Sequence, residues 1–159
     1  MTMTEHGRLT SINVSPTKGT EKFRVPEAII DANGIRGDAH AGDWHRQVSL
    51  LAQESIERFG AEAGQAFVEG EFAENLTVHG IDLTGVSVGD RIAVGRAVLE
   101  VTQIGKRCHG KGCTVFQRVG RCVMPQEGVF CRVLTPGAIR VGDAVILERR
   151  ADTGEARSA

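Results

Sequence analysis

Short apolar runs alternate with glycine-rich polar stretches along this chain. That rhythm predicts many short strands rather than long helices. Gly7–Val14 reads as a first strand. Lys22–Val25 and Glu27–Ile30 read as two more, split by Pro26. Asn33-Gly34 is a turn signal. It opens a polar stretch, Gly37-Asp38-Ala39-His40-Ala41-Gly42-Asp43-Trp44-His45-Arg46, and Gln47–Leu51 follows as a short strand. Ala97–Gln103 alternates, with Leu99 and Val101 on one face and Glu100 and Thr102 on the other, as a half-buried strand does. Gly95-Arg96 joins it to the preceding strand as a tight hairpin. Leu76–Val78 and Gly128–Leu134 are further strands, the latter ended by Thr135-Pro136-Gly137.

The best helix lies over Ala52–Phe59. Leu51, Ile56 and Phe59 give it an apolar side, and Gly60 stands where a helix-ending glycine belongs. A second short helix is expected around Glu62–Val68. Two segments rhyme: Val88-Gly89-Asp90-Arg91-Ile92-Ala93-Val94 and Val141-Gly142-Asp143-Ala144-Val145-Ile146-Leu147. Each sets a Gly-Asp turn pair before an apolar run. Two copies are too few for a repeat array, so both read as turn-then-strand units of one antiparallel barrel. The expectation is a mostly-β barrel with one or two short helices, a single domain over residues 7–148. A polar tail over 149–159 lacks apolar periodicity and is expected to be disordered.

Composition narrows the classes. With 159 residues the chain can bury a core without staples. Its net charge of −1 lacks the basic excess of a duplex-binding surface, so nucleic acid is not expected as a partner. No apolar window is long enough to span a membrane. Met1–Thr10 has no signal-peptide apolar core, so the expected compartment is the cytoplasm. There the four cysteines should stay reduced, as buried apolar groups, metal ligands or a reactive thiol.

Gly105-Lys106-Arg107-Cys108-His109-Gly110-Lys111-Gly112-Cys113 is the richest segment for chemistry. Three cations and a histidine surround Cys108. Such a setting favours the thiolate, which can attack, carry sulfur or bind a soft metal. Cys108 is therefore expected to be the most readily alkylated thiol. Cys113, Cys122 and Cys131 sit in apolar contexts that suit buried cysteines. The loop also nearly spells a nucleotide-binding loop, but Gly112 replaces the Ser or Thr that would hold Mg²⁺. A structural zinc set of Cys108, His109, Cys113 and Cys122 lacks the usual Cys-x₂-Cys pairing.

A second constellation holds Asp38, His40, Asp43, His45 and Arg46. It reads as a metal-ligand cluster, as a polar loop, or as a pocket wall in which Arg46 grips an anion through its bidentate fork. In a third, Glu74-Asn75-Leu76-Thr77-Val78, Asn75 can serve a pterin or purine edge, or turn the chain into the next strand.

Gly37-Asp38-Ala39-His40, His45-Arg46-Gln47-Val48-Ser49-Leu50-Leu51, Glu74-Asn75-Leu76-Thr77-Val78, Val88-Gly89-Asp90 and Gly105-Lys106-Arg107-Cys108 stand in the order found in MOSC domains. The chain resembles that family over roughly Gly7 to Leu147. The family takes its name from the C-terminal domain of molybdenum-cofactor sulfurases. The resemblance implies a barrel of the pyruvate-kinase β-barrel type. It also implies a pterin cofactor carrying molybdenum, and a cysteine that carries sulfur or ligates the metal. That cysteine matches Cys108. Arg46, Asn75, Lys106, Arg107, His40 and His109 are then the expected cofactor contacts. Partners would be molybdoenzymes or molybdopterin-biosynthesis proteins. Pyridoxal phosphate is not expected to bind this domain alone. Three activities stay open: a sulfur carrier or metal-ligating binding protein, a molybdenum-dependent reductase of N-hydroxylated compounds, and a non-catalytic trafficking module.

Overall fold

The computed structural model describes residues 3–17, 22–105 and 127–149. Among the described residues, eleven strands and one α-helix follow in order. They are β1 (Met3–Val14), β2 (Phe23–Val25), β3 (Glu27–Asp31), β4 (Gly34–Ile35), β5 (Val48–Ala52), α1 (Gln53–Ala63), β6 (Leu76–His79), β7 (Arg91–Val94), β8 (Ala97–Ile104), β9 (Val129–Thr135), β10 (Gly137–Arg140) and β11 (Ala144–Arg149). A 3₁₀ turn covers Leu83–Gly85.

Seven strands close into a barrel in the order β1-β11-β7-β8-β9-β5-β6 and back to β1. Closure comes from β1 and β11, paired antiparallel from Met3↔Arg149 to Arg8↔Ala144. From Arg8 to Ile12, across a bulge between Leu9 and Ser11, β1 pairs with β6, and its end pairs with the short flanking strand β2. One long strand thus serves three neighbours, which leaves little free sheet edge. A separate three-stranded sheet, β10-β3-β4, packs Ile30, Ile35 and Ile139 into the same core.

Alternation along the strands sorts the apolar residues into two clusters. Leu50, Val129 and Cys131 join Leu9, Ile12, Leu76, Val78, Ile92, Leu99, Val145 and Leu147 in the main core. Leu51 and Phe130 face the other way and pack with Ile56, Phe59 and Phe72 under α1. All five residues of β5 are buried, because the strand is covered on both faces. β5 and β6 form the sheet's parallel pair, and α1 lies in the crossover that a parallel connection requires.

The barrel and its strands match the sequence expectation, with three corrections. The helix runs through Gly60 to Ala63 and ends at Gly64, whose φ is 72°. Gly60 is there for space, since a Cβ would lie 2.7 Å from the Gln65 carbonyl oxygen. The second helix around Glu62–Val68 does not form; residues 62 and 63 end α1, and Phe67 packs against Phe59 and Phe72. Arg149, assigned to the tail, is the last residue of β11, where it binds Glu5 at 2.5 Å and the carbonyl oxygens of Gly85 and Asp82. Residues 150–159 lie outside the described residues.

Candidate functional site

The loop between β4 and β5 carries the polar stretch, and Asp38 is its hub. The Asp38 carboxylate accepts from the backbone N–H of Ser15 at 3.0 Å and of His40 at 3.0 Å. It also pairs with Lys22 Nζ at 2.6 Å, both side chains fully buried. Burial alone would raise this carboxyl. The nearby His40 ring, the hydrogen bond from Lys22, the Lys22 charge and the Ser15 N–H outweigh it and hold Asp38 well below the usual carboxylate range. Ala39 N–H donates to the Ser15 carbonyl at 2.8 Å, so the loop is strapped to the end of β1.

Gln47 fastens the loop's other end. Its amide nitrogen donates to the carbonyls of Ala32 (3.0 Å) and Gly42 (2.8 Å), and its oxygen accepts from Val133 N–H at 2.7 Å. Between these anchors, Trp44 Nε1 donates to the His40 carbonyl at 2.7 Å. The His40 and Trp44 rings lie parallel within 5°, with centroids 6.5 Å apart.

Arg46 sits on aromatic faces. Its guanidinium carbon is 4.7 Å from the Trp44 ring centroid and 5.6 Å from that of Phe130, both within cation–π range. Its Nε is buried and, among the described residues, has no hydrogen-bond partner. A buried donor without an acceptor costs about 1–3 kcal/mol. Arg46 pairs with neither Asp38, which Lys22 holds, nor Asp43, which is exposed.

His45 links this loop to β8. Its Nε2 is 2.8 Å from Gln103 Oε1, and its carbonyl accepts from the Thr102 hydroxyl. Gln103 in turn donates to the Gly105 carbonyl at 2.8 Å, and Gly105 N–H donates to the Gly128 carbonyl at 2.7 Å. Glu127, next to Gly128, binds Ser55 at 2.7 Å and Arg58, both on α1. Gly105, just after β8, and Gly128, just before β9, therefore meet beside the Arg46 loop.

Lys106, Arg107, Cys108 and His109 lie outside the described residues, as do Cys113 and Cys122. Cys131 is fully buried in the core, and burial, with a smaller push from Glu100, drives its thiol far up from the ordinary range. Asn75, expected as a cofactor contact or a turn residue, is fully buried. Its oxygen accepts from Ser49 N–H (3.0 Å) and hydroxyl (3.2 Å), and its amide donates to the Asn13 carbonyl at 3.2 Å. It ties β5, β6 and β1 together. The histidines of the polar loop diverge, His40 to Lys22 and His45 to Gln103. Among the described residues no group of three or more His, Cys, Asp or Glu could hold a metal ion.

Lys22, Gln103 and Phe130 were not singled out from sequence. Each reaches the site only through the fold. Trp44 was legible as the chain's one tryptophan, beside Arg46. Clefts of 480 Å³ beside α1 and 610 Å³ at the small sheet open elsewhere, and neither includes a residue of the 37–46 loop. Among the described residues no helix is long and apolar enough to cross a membrane.

The fold has solved counterparts. YuaD from Bacillus subtilis superposes with a TM-score of 0.77 at 20% identity, over 95% of this chain and 100% of that one. YiiM from Geobacillus stearothermophilus gives 0.71 at 22%, over 92% and 77%. YiiM from Escherichia coli gives 0.67 at 22%, over 91% and 71%. At these identities the likeness is one of fold. No curated protein matches the chain. The family model named MOSC domain matches residues 37–146, from the start of the Asp38–Arg46 loop into β11, and the chain belongs to the MOSC domain family.

Proposed function

We propose that this protein binds a molybdenum–pterin cofactor, with Cys108 as the thiolate that ligates the metal or carries sulfur to it. The family is associated with molybdenum-cofactor proteins. The observation that carries the reading is Arg46. Its guanidinium lies on Trp44 and Phe130 with a buried Nε unpartnered among the described residues, in a loop tied by His45 and Gln103 to Gly105. A planar fork in that state suits the phosphate of such a cofactor, which it can grip through two parallel hydrogen bonds. Cys108 follows Gly105 by three residues, a reach of at most about 11 Å. Lys106 and Arg107 on the same stretch add positive charge for the phosphate, and His109 adds a further polar contact. Bound there, the group would supply redox and sulfur-transfer chemistry. The chain's own part is to hold the phosphate at Arg46 and keep a thiolate available at Cys108.

The test is anaerobic purification from a host that makes the cofactor, followed by metal and pterin analysis. Wild type should carry both molybdenum and a fluorescent pterin. Cys108→Ser should keep pterin while losing molybdenum or its transferable sulfur. A wild-type protein holding neither molybdenum nor pterin would overturn the reading.

A further inference from the structure

We propose that Lys22 is a positioning residue that fixes His40 in the tautomer protonated at Nε2. The ring thereby becomes a hydrogen-bond donor to a ligand bound beside Trp44. The starting observation is the burial of the Lys22–Asp38 pair, at 2.6 Å with neither side chain exposed. An ammonium group so paired keeps its proton and has no lone pair to offer. Lys22 Nζ is also 3.1 Å from His40 Nδ1. Only one arrangement makes that contact a hydrogen bond: Nζ donates and Nδ1 accepts. Nδ1 then carries no proton in the neutral ring, and the proton lies on Nε2.

The competing arrangement has Nδ1 donating to Asp38 Oδ2, as in a carboxylate–imidazole couple. That pair is 3.5 Å apart, and Oδ2 already accepts from the His40 backbone N–H at 3.0 Å. The shorter contact, to Lys22, decides the tautomer. Nε2 makes no hydrogen bond to a described residue, and the side chain is 21% exposed. A fixed Nε2–H beside the Trp44 face suits a flat heteroaromatic ligand that presents a carbonyl oxygen or ring nitrogen at its edge. The choice of ligand rests on the cofactor reading above; the tautomer does not.

The experiment is long-range proton–nitrogen NMR on the cofactor-free full chain, read on the neutral form of the His40 ring. In wild type, Nδ1 should show the shift of an unprotonated nitrogen, and the Lys22 ammonium protons should be protected from exchange and correlate with it. In Lys22→Met the proton should move to Nδ1, because among the described residues Asp38 is then the acceptor beside that nitrogen. A wild-type Nδ1–H tautomer would overturn the proposal, as would absence of the protected ammonium signal, which needs no variant. Pterin retention then tests the donor role. His40→Leu should retain it about tenfold less well, the loss of one hydrogen bond, and His40→Gln, which keeps an N–H donor, should recover most of it. Equal retention in wild type and His40→Leu would overturn the donor role. A wild type that takes up no pterin would count against the cofactor reading and leave the tautomer result standing.

Discussion

Burial decides the protonation state of Glu74. The side chain is fully enclosed, and its Oε2 accepts from Gly70 N–H at 3.0 Å and the Thr77 hydroxyl at 2.9 Å. Burial outweighs those hydrogen bonds and raises the carboxyl to about 7. A carboxyl raised in the folded state stabilises the fold below its unfolded value, near 4.5, and that stabilisation is lost as pH rises through 7. The loss amounts to about 3 kcal/mol over that window. Glu74→Gln keeps the shape without the charge. Denaturant titrations at several pH values should therefore find the variant more stable than wild type at pH 8, with a flatter profile. Parallel profiles for the two proteins would contradict this account. Asp38 works in the opposite sense. Its carboxyl is held low, so its contribution is present above the ordinary carboxylate range and is lost only in acid. Arg46 could be read from the sequence as an anion-binding residue because guanidinium chemistry is local to one side chain. Lys22 could not, because its meaning comes from Asp38, 16 residues away, and Gln103 depends on His45, 58 residues away.

The rhyme between Val88-Gly89-Asp90 and Val141-Gly142-Asp143 proves to be one turn built twice. Asp90 Oδ2 accepts from Ser87 N–H at 2.8 Å, and Asp143 Oδ2 accepts from Arg140 N–H at 2.8 Å. Each aspartate N–H returns to the carbonyl three residues back at 3.0 Å, and Gly89 and Gly142 have φ of 97° and 99°. The strands they launch, β7 and β11, are barrel neighbours. Burial separates the two copies: Asp90 is 1% exposed, whereas Asp143 is only partly covered. Asp90→Ala strands a buried N–H and should cost about 1–3 kcal/mol, and Asp143→Ala about 0.5–1.5 kcal/mol. Urea denaturation ranks the two, and the reverse order would show that burial does not set the cost. Sequence pattern read other elements only in part, for physical reasons. Thr135-Pro136-Gly137 does end β9, at Thr135, but the pattern did not show that β10 begins at Gly137. A Cβ at Gly137 would lie 2.6 Å from the Arg96 backbone, so close approach, not chain termination, explains that glycine. Gly60 misled in the same way.

At the scale of the molecule, barrel closure brings distant parts of the chain together. The 37–46 loop precedes β5, and Gly105 and Gly128 stand where β8 ends and β9 begins. β9 pairs with β5 through Ser49↔Phe130 and with β8 through Gln103↔Phe130. Phe130 therefore lies between β5 and β8, and its ring supports Arg46 directly. The turn-and-strand pattern foretold a barrel; strand order, and with it the approach of Gly105 to the 37–46 loop through Gln103 and His45, follows from long-range pairing that no local pattern encodes. The central claim is that Arg46 grips an anionic cofactor here. The most direct measurement is the pterin-to-protein ratio of wild type and Arg46→Lys, purified side by side without oxygen and dialysed to equilibrium. Lysine keeps the charge and removes the fork, at a cost of about 1.5–3 kcal/mol. Retention should be roughly ten- to a hundredfold weaker in a folded variant. Equal pterin retention in the two proteins would contradict it.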